Sequence, residues 1–161
     1  MADQNGINER QRELFIRKST RVAASYLKRV KELSELPDAA KPFFDVLENT
    51  YVKLADIQKT EDRKSIGTLC VMVPAELVYA AGAMPVRLCS GSYTAYSIGD
   101  DYIPRDACPL VKAVMGFGKI KALPAFDNCS LLVAPVPCDC KKKLAGTIDS
   151  VKDTIPLHIP P

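Results

Sequence analysis

The sequence has almost no histidine and no long hydrophobic run. Its one histidine, His158, excludes zinc sites that need two or more histidines from this chain, and its place among the last four residues disfavours a local Ser-His-Asp triad. No apolar run approaches the roughly 20 residues that a helix needs to span a bilayer. The N-terminal sequence MADQNGINERQRELF has no apolar segment after a basic stretch, so no secretory signal is predicted. We expect a soluble, cytoplasmic protein that does not enter a membrane.

Strong charge of one sign is also missing. The 161 residues have a net charge of +3, with 25% charged and 47% hydrophobic residues. This balance excludes a disordered chain, and 161 residues are enough to form a buried core. A pI near 8.5 without a concentrated basic stripe gives little support for nucleic-acid binding. The composition predicts one globular domain, or one domain with a helical extension.

The first 60 residues are predicted to be helical. Apolar residues recur on one face over residues 8–34, and a second such pattern runs from Asp38, a candidate N-cap, to about Gln58. The first helix has a basic opposite face, for which a solvated surface and a contact with an anionic partner are both open. The polar segment KTEDRKS separates this part from residues 61–161.

Strand and helix patterns alternate after residue 65. The continuous apolar run IGTLCVMV predicts a strand buried on both faces, and MPVRLCS, CSLLVAPVP and TIPLHIPP predict three more. Between them, PAELVYAAGA, CPLVKAVMGFG (ending near Gly116 or Gly118) and CDCKKKLAGTIDSV predict helices, and GSYTAYSIGDDYIPRDA predicts loops with one short helix. This order indicates an α/β fold: N-terminal helices, then a parallel, doubly wound sheet of about four strands. Because a helix normally follows such a last strand, we expect the sequence to be the first part of a longer protein.

The six cysteines are the most informative residues. Without an export signal, they indicate metal or redox chemistry rather than disulfides. Ligands of open parallel sheets bind beyond the carboxyl ends of the strands, and Cys70, Cys108 and Cys138 all map to that edge. Helix N-termini favour thiolates, so cysteines from separate loops can hold an iron–sulfur cluster without a CxxC motif. Zinc bound by cysteines and isolated buried cysteines remain alternatives.

The other three cysteines are weaker candidates. Cys89 also ends a strand, but its neighbours indicate a turn. Cys129 begins its strand, on the opposite edge, and is expected to be a small buried residue. Cys140 lies in the first turn of a predicted helix and has no predicted orientation.

Three segments together resemble a known superfamily. GTLCVMVPAELVYAAGAMPVRLCSGS resembles the start of the 2-hydroxyacyl-CoA dehydratase and benzoyl-CoA reductase superfamily, in which a G-x-x-C-x-x-x-P-x-E block precedes an AAGA-P-V segment. IPRDACPLVKAVMGFGK and PCDCKKK are most similar to its double-cubane-cluster branch. The similarity extends from about Ile66 to Leu144 and keeps the order of the blocks.

The resemblance implies an iron–sulfur component, with a 4Fe-4S or double-cubane cluster, of an ATP-dependent low-potential reductase or 2-hydroxyacyl-CoA dehydratase. Its implied partners are an ATP-hydrolysing iron–sulfur activator, a second family subunit in a homo- or heterodimer, and an acyl-CoA or other small substrate. Cys70 and Cys108 match cluster ligands of the family, whereas Cys138 matches a motif cysteine that is either a ligand or a neighbour of the cluster. A third ligand and a second α/β domain lie, in the family, beyond the part that this chain matches. The absence of G-x-G-x-x-G and P-loop motifs agrees with ATP binding to a partner.

Several basic residues accompany these cysteines. Arg105 and Lys112 flank Cys108 and are candidates for stabilising an anionic cluster or a phosphate group, with solvated surface charge as the alternative. Lys141, Lys142 and Lys143 are candidates for contacting an activator or the phosphates of a CoA ester, and a solvated helix face is the alternative. Two functions of other classes stay open: a non-catalytic α/β binding or assembly module that kept this scaffold, and a cysteine-ligated zinc protein. Whether this chain alone is an enzyme is left undecided.

Overall fold

A computed structural model of the chain describes residues 8–54, 63–89 and 91–159. The chain divides into two compact units, Met1–Ile57 and Gln58–Pro161. The first is helical, and the second contains a four-stranded parallel sheet with helices. The predicted α/β class with N-terminal helices is therefore confirmed.

The first unit begins with a long helix, α1 (Glu9–Lys31). Asn8 and Gln11 form a reciprocal capping box: each side-chain oxygen accepts a hydrogen bond from the other residue's backbone N–H at 2.9 Å. These bonds satisfy N–H groups that the first turn of a helix leaves without intrahelical acceptors. The predicted helix over residues 8–34 is confirmed, although it ends at Lys31.

The second predicted helix of this unit is broken into three pieces. Along the chain these pieces are a 3₁₀ turn (Asp38–Ala40), α2 (Lys41–Leu47) and a π-helical turn (Glu48–Val52). The expectation that Asp38 caps this helix is wrong, because Pro37 holds the N-cap position and makes no side-chain cap bond. The Asp38 carboxylate instead pairs with Lys41 at 2.7 Å. Residues 55–58 of the predicted helix lie outside the described residues.

The second unit is built on four parallel strands: β1 (Ser65–Thr68), β2 (Met84–Arg87), β3 (Leu131–Pro135) and β4 (Thr154–Leu157). Their order across the sheet is β2-β1-β3-β4. All four predicted strands exist but are shorter than predicted. β1 ends at Thr68 because the chain turns after Leu69, where the Val73 N–H donates to the Cys70 carbonyl at 3.4 Å.

Five helices connect or flank these strands: α3 (Ala75–Ala80), α4 (Tyr93–Gly99), α5 (Pro109–Ile120), α6 (Pro124–Asn128) and α7 (Asp139–Ile148). The prediction that α5 stops near Gly116 or Gly118 is wrong, since both glycines lie inside it. Their role is packing: a Cβ on Gly116 would overlap the carbonyl oxygen of Ala95 in α4. Glycine here allows two helix backbones to approach more closely than any other residue would. The short helix α6 was not predicted.

The core of this unit lies around α5 and the central strands. α5 is buried on nearly every side, and its residue Met115 is fully buried. Leu132 of β3 is fully buried as well. The connection from β1 leads outward to β2, whereas the chain after β2 returns past β1 to β3. The winding direction therefore reverses between β1 and β3. This switch point is where open parallel sheets form a crevice beyond the carboxyl ends of their strands.

Candidate functional site

Cys70 lies at the switch point. It follows the carboxyl end of β1 by two residues and starts the turn that leads to α3. Its side chain is partly buried. The prediction that Cys70 lies at this edge of the sheet agrees with the described structure.

Lys141 acts electrostatically on Cys70 from the helix that follows β3, on the other side of the switch point. Lys141 is the third residue of α7, which directly follows β3. Burial raises the pKa of the Cys70 thiol, but hydrogen bonds from Lys141 and from the backbone N–H of Met72, together with the positive charge of Lys141, outweigh it and lower the pKa overall. A lowered pKa favours the thiolate, the form of cysteine that binds metals.

Cys89 follows the end of β2 by two residues, as Cys70 follows the end of the neighbouring strand β1. Burial and then the negative charge of Cys70 raise the pKa of the Cys89 thiol, while Lys141 opposes this effect. Because β1 and β2 are parallel neighbours, Cys89 lies at the same carboxyl edge of the sheet as Cys70. The Ser-Gly-Ser sequence after Cys89 is typical of a turn, which made this cysteine a weaker candidate than Cys70.

Cys108 and Cys138 occupy equivalent positions before two helices. Cys108 is the N-cap residue of α5 and Cys138 that of α7, and both are exposed without making side-chain cap bonds. Over residues 8–54, 63–89 and 91–159, no three or more histidine, cysteine or acidic side chains are grouped as a metal ion requires. The described structure thus does not bring Cys70, Cys108 and Cys138 together as one ligand set.

These observations test the fit of an iron–sulfur cluster. The donor chemistry is suitable: free thiols lie at the switch point, and one of them is biased toward the thiolate by a lysine. The number of grouped donors is too small for a complete cluster within the described residues. The chain therefore fits as a contributor of ligands.

Lys112 has a different environment from the one its sequence position suggests. Its side chain is fully buried, and its ammonium donates hydrogen bonds to the Asp100 carboxylate at 2.5 Å and to the backbone carbonyl of Arg105 at 2.7 Å. The Tyr96 ring lies 5.2 Å from the ammonium. Solvated surface charge is thus the wrong description of Lys112. The apolar residues on both sides of Lys112 in the sequence PLVKAVMGF could have indicated that this lysine is buried.

Arg105 and Cys129 complete the predicted set. Arg105 is exposed in the turn before α5, and its backbone rather than its side chain binds Lys112. Cys129 is only 2% exposed, and its thiol donates to the Phe126 carbonyl at 3.2 Å. The prediction that Cys129 is a small buried residue is confirmed.

An open apolar cavity of about 680 Å³ lies between α3 and one face of the sheet. Ile66 of β1, Val133 of β3 and Leu157 of β4 form its floor, and Leu77 and Val78 of α3 form a wall. None of the described cysteines lines it. The cavity is therefore separate from the cysteine edge.

A family model matches the chain from the first of these cysteines onward. The family is described as 2-hydroxyglutaryl-CoA dehydratase, D-component, and the match covers residues 70–161. The chain belongs to this family. The predicted superfamily is therefore confirmed, whereas its double-cubane-cluster branch stays a prediction.

Two curated relatives agree with this assignment. The chain is 32% identical over 127 residues to "Putative dehydratase subunit YjiM" of Escherichia coli (strain K12), which covers 79% of the chain and 32% of the relative. It is 28% identical over 101 residues to lactoyl-CoA dehydratase subunit beta of Anaerotignum propionicum, covering 63% of the chain and 26% of that relative. The chain spans about a third or less of the length of these proteins. No helix within the described residues is both long and apolar enough to cross a membrane.

Proposed function

We propose that this chain is the cluster-binding N-terminal part of a dehydratase subunit of the 2-hydroxyacyl-CoA type. The observation behind this proposal is the lysine-stabilised Cys70 at the switch point of the sheet. Cys70 is in the usual ligand-binding position at the carboxyl edge of a parallel sheet, and its lowered pKa favours the protonation state that iron requires.

Cys70 would be a ligand from this chain, with Cys108 and Cys138 as further candidates. The remaining ligands would come from outside the described residues, since no set of three donors forms within them. In this proposal residues 61–161 are the first α/β domain, and a second α/β domain of the full-length protein completes the site. The share of the relatives that the chain spans supports this arrangement.

The residues near Cys70 would tune such a cluster. Lys141 would place a positive charge and a hydrogen-bond donor beside the anionic cluster, two influences that raise the reduction potential of iron–sulfur centres. The exposed Arg105 near the start of α5 would act similarly or bind a phosphate group. Lys112 would act indirectly, by fixing the Arg105 backbone from inside the fold.

When bound, the cluster would supply one-electron reduction, with electrons from an ATP-hydrolysing iron–sulfur activator and a 2-hydroxyacyl-CoA as substrate. The chain's own residues would hold the cluster, shield it and set its electrostatic environment. Partner family subunits follow from the subunit names of both relatives.

The test is anaerobic purification of the protein from its complete reading frame, followed by assays for iron, acid-labile sulfide and zinc. We expect iron and sulfide in comparable amounts, together with absorption and EPR signals of a cluster. Cys70→Ala should remove most of the iron, whereas Cys129→Ala should retain it. Stoichiometric zinc without sulfide would instead establish a cysteine-ligated zinc protein. A folded protein with neither metal would favour a non-catalytic module.

A further inference from the structure

We infer that Lys112 is a positioning residue: through the Arg105 carbonyl it fixes the turn that presents Arg105 and Cys108 at the start of α5. This inference rests on the proposed function and deepens it, because it names the group inside the fold that sets the orientation of this part of the site. Complete burial keeps the Lys112 ammonium away from solvent and from any ligand at the surface, so its role is exerted through its neighbours.

The turn Pro104–Ala107 lies directly before the N-terminus of α5. The Ala107 N–H donates to the Pro104 carbonyl at 2.9 Å, so Arg105 and Asp106 are the two central residues of a β-turn. The peptide group between the central residues faces opposite ways in turns of type I and type II, and type II requires a positive φ at the second residue. Asp106 has no positive φ, which excludes type II.

Lys112 holds this central peptide from below. Its ammonium donates to the Arg105 carbonyl at 2.7 Å and to the Asp100 carboxylate at 2.5 Å. If the peptide between Arg105 and Asp106 flipped, one N–H of the fully buried ammonium would lose its acceptor, and an unsatisfied buried donor is costly. The hydrogen bond from Lys112 therefore selects one orientation of the turn.

The close contact of α4 and α5 brings the ammonium to this position. Gly99, the last residue of α4, lies against the Lys112 carbonyl, where a Cβ would overlap the oxygen. Asp100 follows Gly99 directly, and its carboxylate pairs with the Lys112 ammonium. Further along the same connection, the Lys119 ammonium lies 4.9 Å from the centre of the Tyr102 ring. The segment between α4 and α5 is thus held in place, although it contains no helix or strand.

The outer side of the turn is open to solvent. Arg105, Asp106 and Cys108 are exposed, whereas Lys112 beneath them is not. For packing alone a lysine is a poor choice, because an apolar side chain of similar size avoids the cost of burying a charge. What the lysine adds is a fixed geometry for exposed groups, which a binding site requires.

Hydrogen exchange of the full-length, metal-free protein tests the role of Lys112 in the turn. Lys112→Met removes the donor but keeps a long side chain, so peptic peptides that span residues 103–108 should exchange at least about tenfold faster, while peptides of α7 keep their wild-type rates. Arg105→Ala is the matched control, because it removes the guanidinium and keeps the carbonyl, and it should exchange at the wild-type rate. Unchanged exchange in Lys112→Met, or equal acceleration in Arg105→Ala, would overturn the inference.

A second control separates positioning from general stability. Ile148→Ala removes a fully buried side chain in α7 and should lower the urea midpoint without changing exchange over residues 103–108. Acceleration of those peptides in Ile148→Ala would mean that they report global unfolding, and the local role of Lys112 would fail. If Lys112→Met does not fold, the double variant Lys112→Met with Asp100→Asn is measured in its place, because it also removes the carboxylate left without a partner.

The consequence for the proposed site is tested on the full-length protein after anaerobic purification. Lys112→Met should bind iron and sulfide but show a shifted EPR spectrum, because Arg105 and Cys108 lose their fixed orientation, whereas Ile148→Ala should show the wild-type spectrum. A wild-type spectrum in Lys112→Met would overturn the positioning role while leaving the proposed function intact. If the wild type itself binds no iron and sulfide, the proposed function fails, and hydrogen exchange still decides whether Lys112 fixes the turn.

Discussion

Lys141 in the first turn of α7 lowers the pKa of Cys70 in the turn after β1, so these two residues face each other at the switch point of the sheet. The contact joins the two segments that follow β1 and β3, the strands between which the winding direction reverses. A positive charge and a thiol are held together there. This relationship explains why Cys70 differs from a buried cysteine such as Cys129, whose pKa burial raises.

The first prediction concerns Cys70 reactivity. In Lys141→Met the hydrogen bond and the positive charge of the lysine are lost while the burial of Cys70 remains, so the pKa of Cys70 rises above its wild-type value. Less thiolate remains at neutral pH, so alkylation of the metal-free protein by iodoacetamide at Cys70 should slow by at least about twofold. The rate is measured at pH 7 by mass spectrometry of the tryptic peptide 65–87, which contains Cys70.

Lys143→Met is the matched control, since Lys143 is an exposed lysine of the same helix. It should leave the rate of Cys70 alkylation at the wild-type value. Equal rates in Lys141→Met and the wild type would show that Lys141 does not stabilise the thiolate.

The sequence allowed the cysteine edge to be predicted but not the contacts within it. The apolar run before Cys70 indicates a buried strand, and the carboxyl-edge rule then locates that residue. Which of three consecutive lysines faces Cys70 depends on the rotation of α7 about its axis, and no local pattern specifies it. That β1 lies next to β2, with Thr68 opposite Arg87, depends on strand order and register, which are also properties of the whole sheet.

The error at Gly116 has a similar cause. Glycine near the end of an apolar pattern is a common helix stop, so its sequence position favours a terminus. In the structure the missing side chain serves the α4–α5 contact instead, and the helix continues to Ile120. Local sequence does not distinguish a glycine that ends a helix from one that admits a neighbouring helix.

The second prediction tests that close contact. Gly116→Ala places a Cβ against the Ala95 carbonyl oxygen, so the α4 and α5 backbones must separate. We expect a loss of about 2 kcal/mol or more in the free energy of unfolding by urea, because overpacking outweighs the higher helix propensity of alanine. The matched control is Gly146→Ala in α7, where a Cβ meets no heavy atom within 4 Å. It should gain up to about 1 kcal/mol, and a similar gain at Gly116 would contradict the packing argument.

The third prediction concerns the ion pair between the buried Lys112 and Asp100, whose side chain is 41% exposed. Asp100→Asn leaves the buried ammonium without its anionic partner, so the melting temperature should fall by about 5 °C or more. Asp101→Asn, a change at the exposed neighbouring residue, is the control and should have little effect. A similar melting temperature for the wild type and Asp100→Asn would mean that the pair adds no stability.

This ion pair also predicts a pH dependence. The hydrogen bond with Asp100 raises the pKa of Lys112 above its ordinary value of 10.5, so the folded state holds this proton more tightly than the unfolded state. The pair's contribution is therefore fully present below pH 10.5 and is lost as the pH rises through the higher folded-state pKa. The difference in stability between the wild type and Asp100→Asn should shrink above that pH, as measured by urea unfolding at a series of alkaline pH values. A constant difference would assign the effect of the variant to another cause.

The last prediction separates a cysteine that packs from one that binds metal. Cys129 is 2% exposed, its thiol donates to the Phe126 carbonyl, and its sulfur lies against Gly67 of β1. Cys129→Ala removes this packing and should lower the free energy of unfolding by about 1 kcal/mol, because a small cavity remains. Iron and sulfide content of the full-length protein should not change, since Cys129 lies at the amino end of β3, away from the switch point.

Cys70→Ala should show the opposite behaviour and lose iron. Its metal-free form should unfold at nearly the wild-type urea concentration, because the Cys70 side chain is only partly buried. If a folded Cys129→Ala protein loses iron as completely as Cys70→Ala, position at the strand ends does not distinguish ligands from packing residues in this sheet.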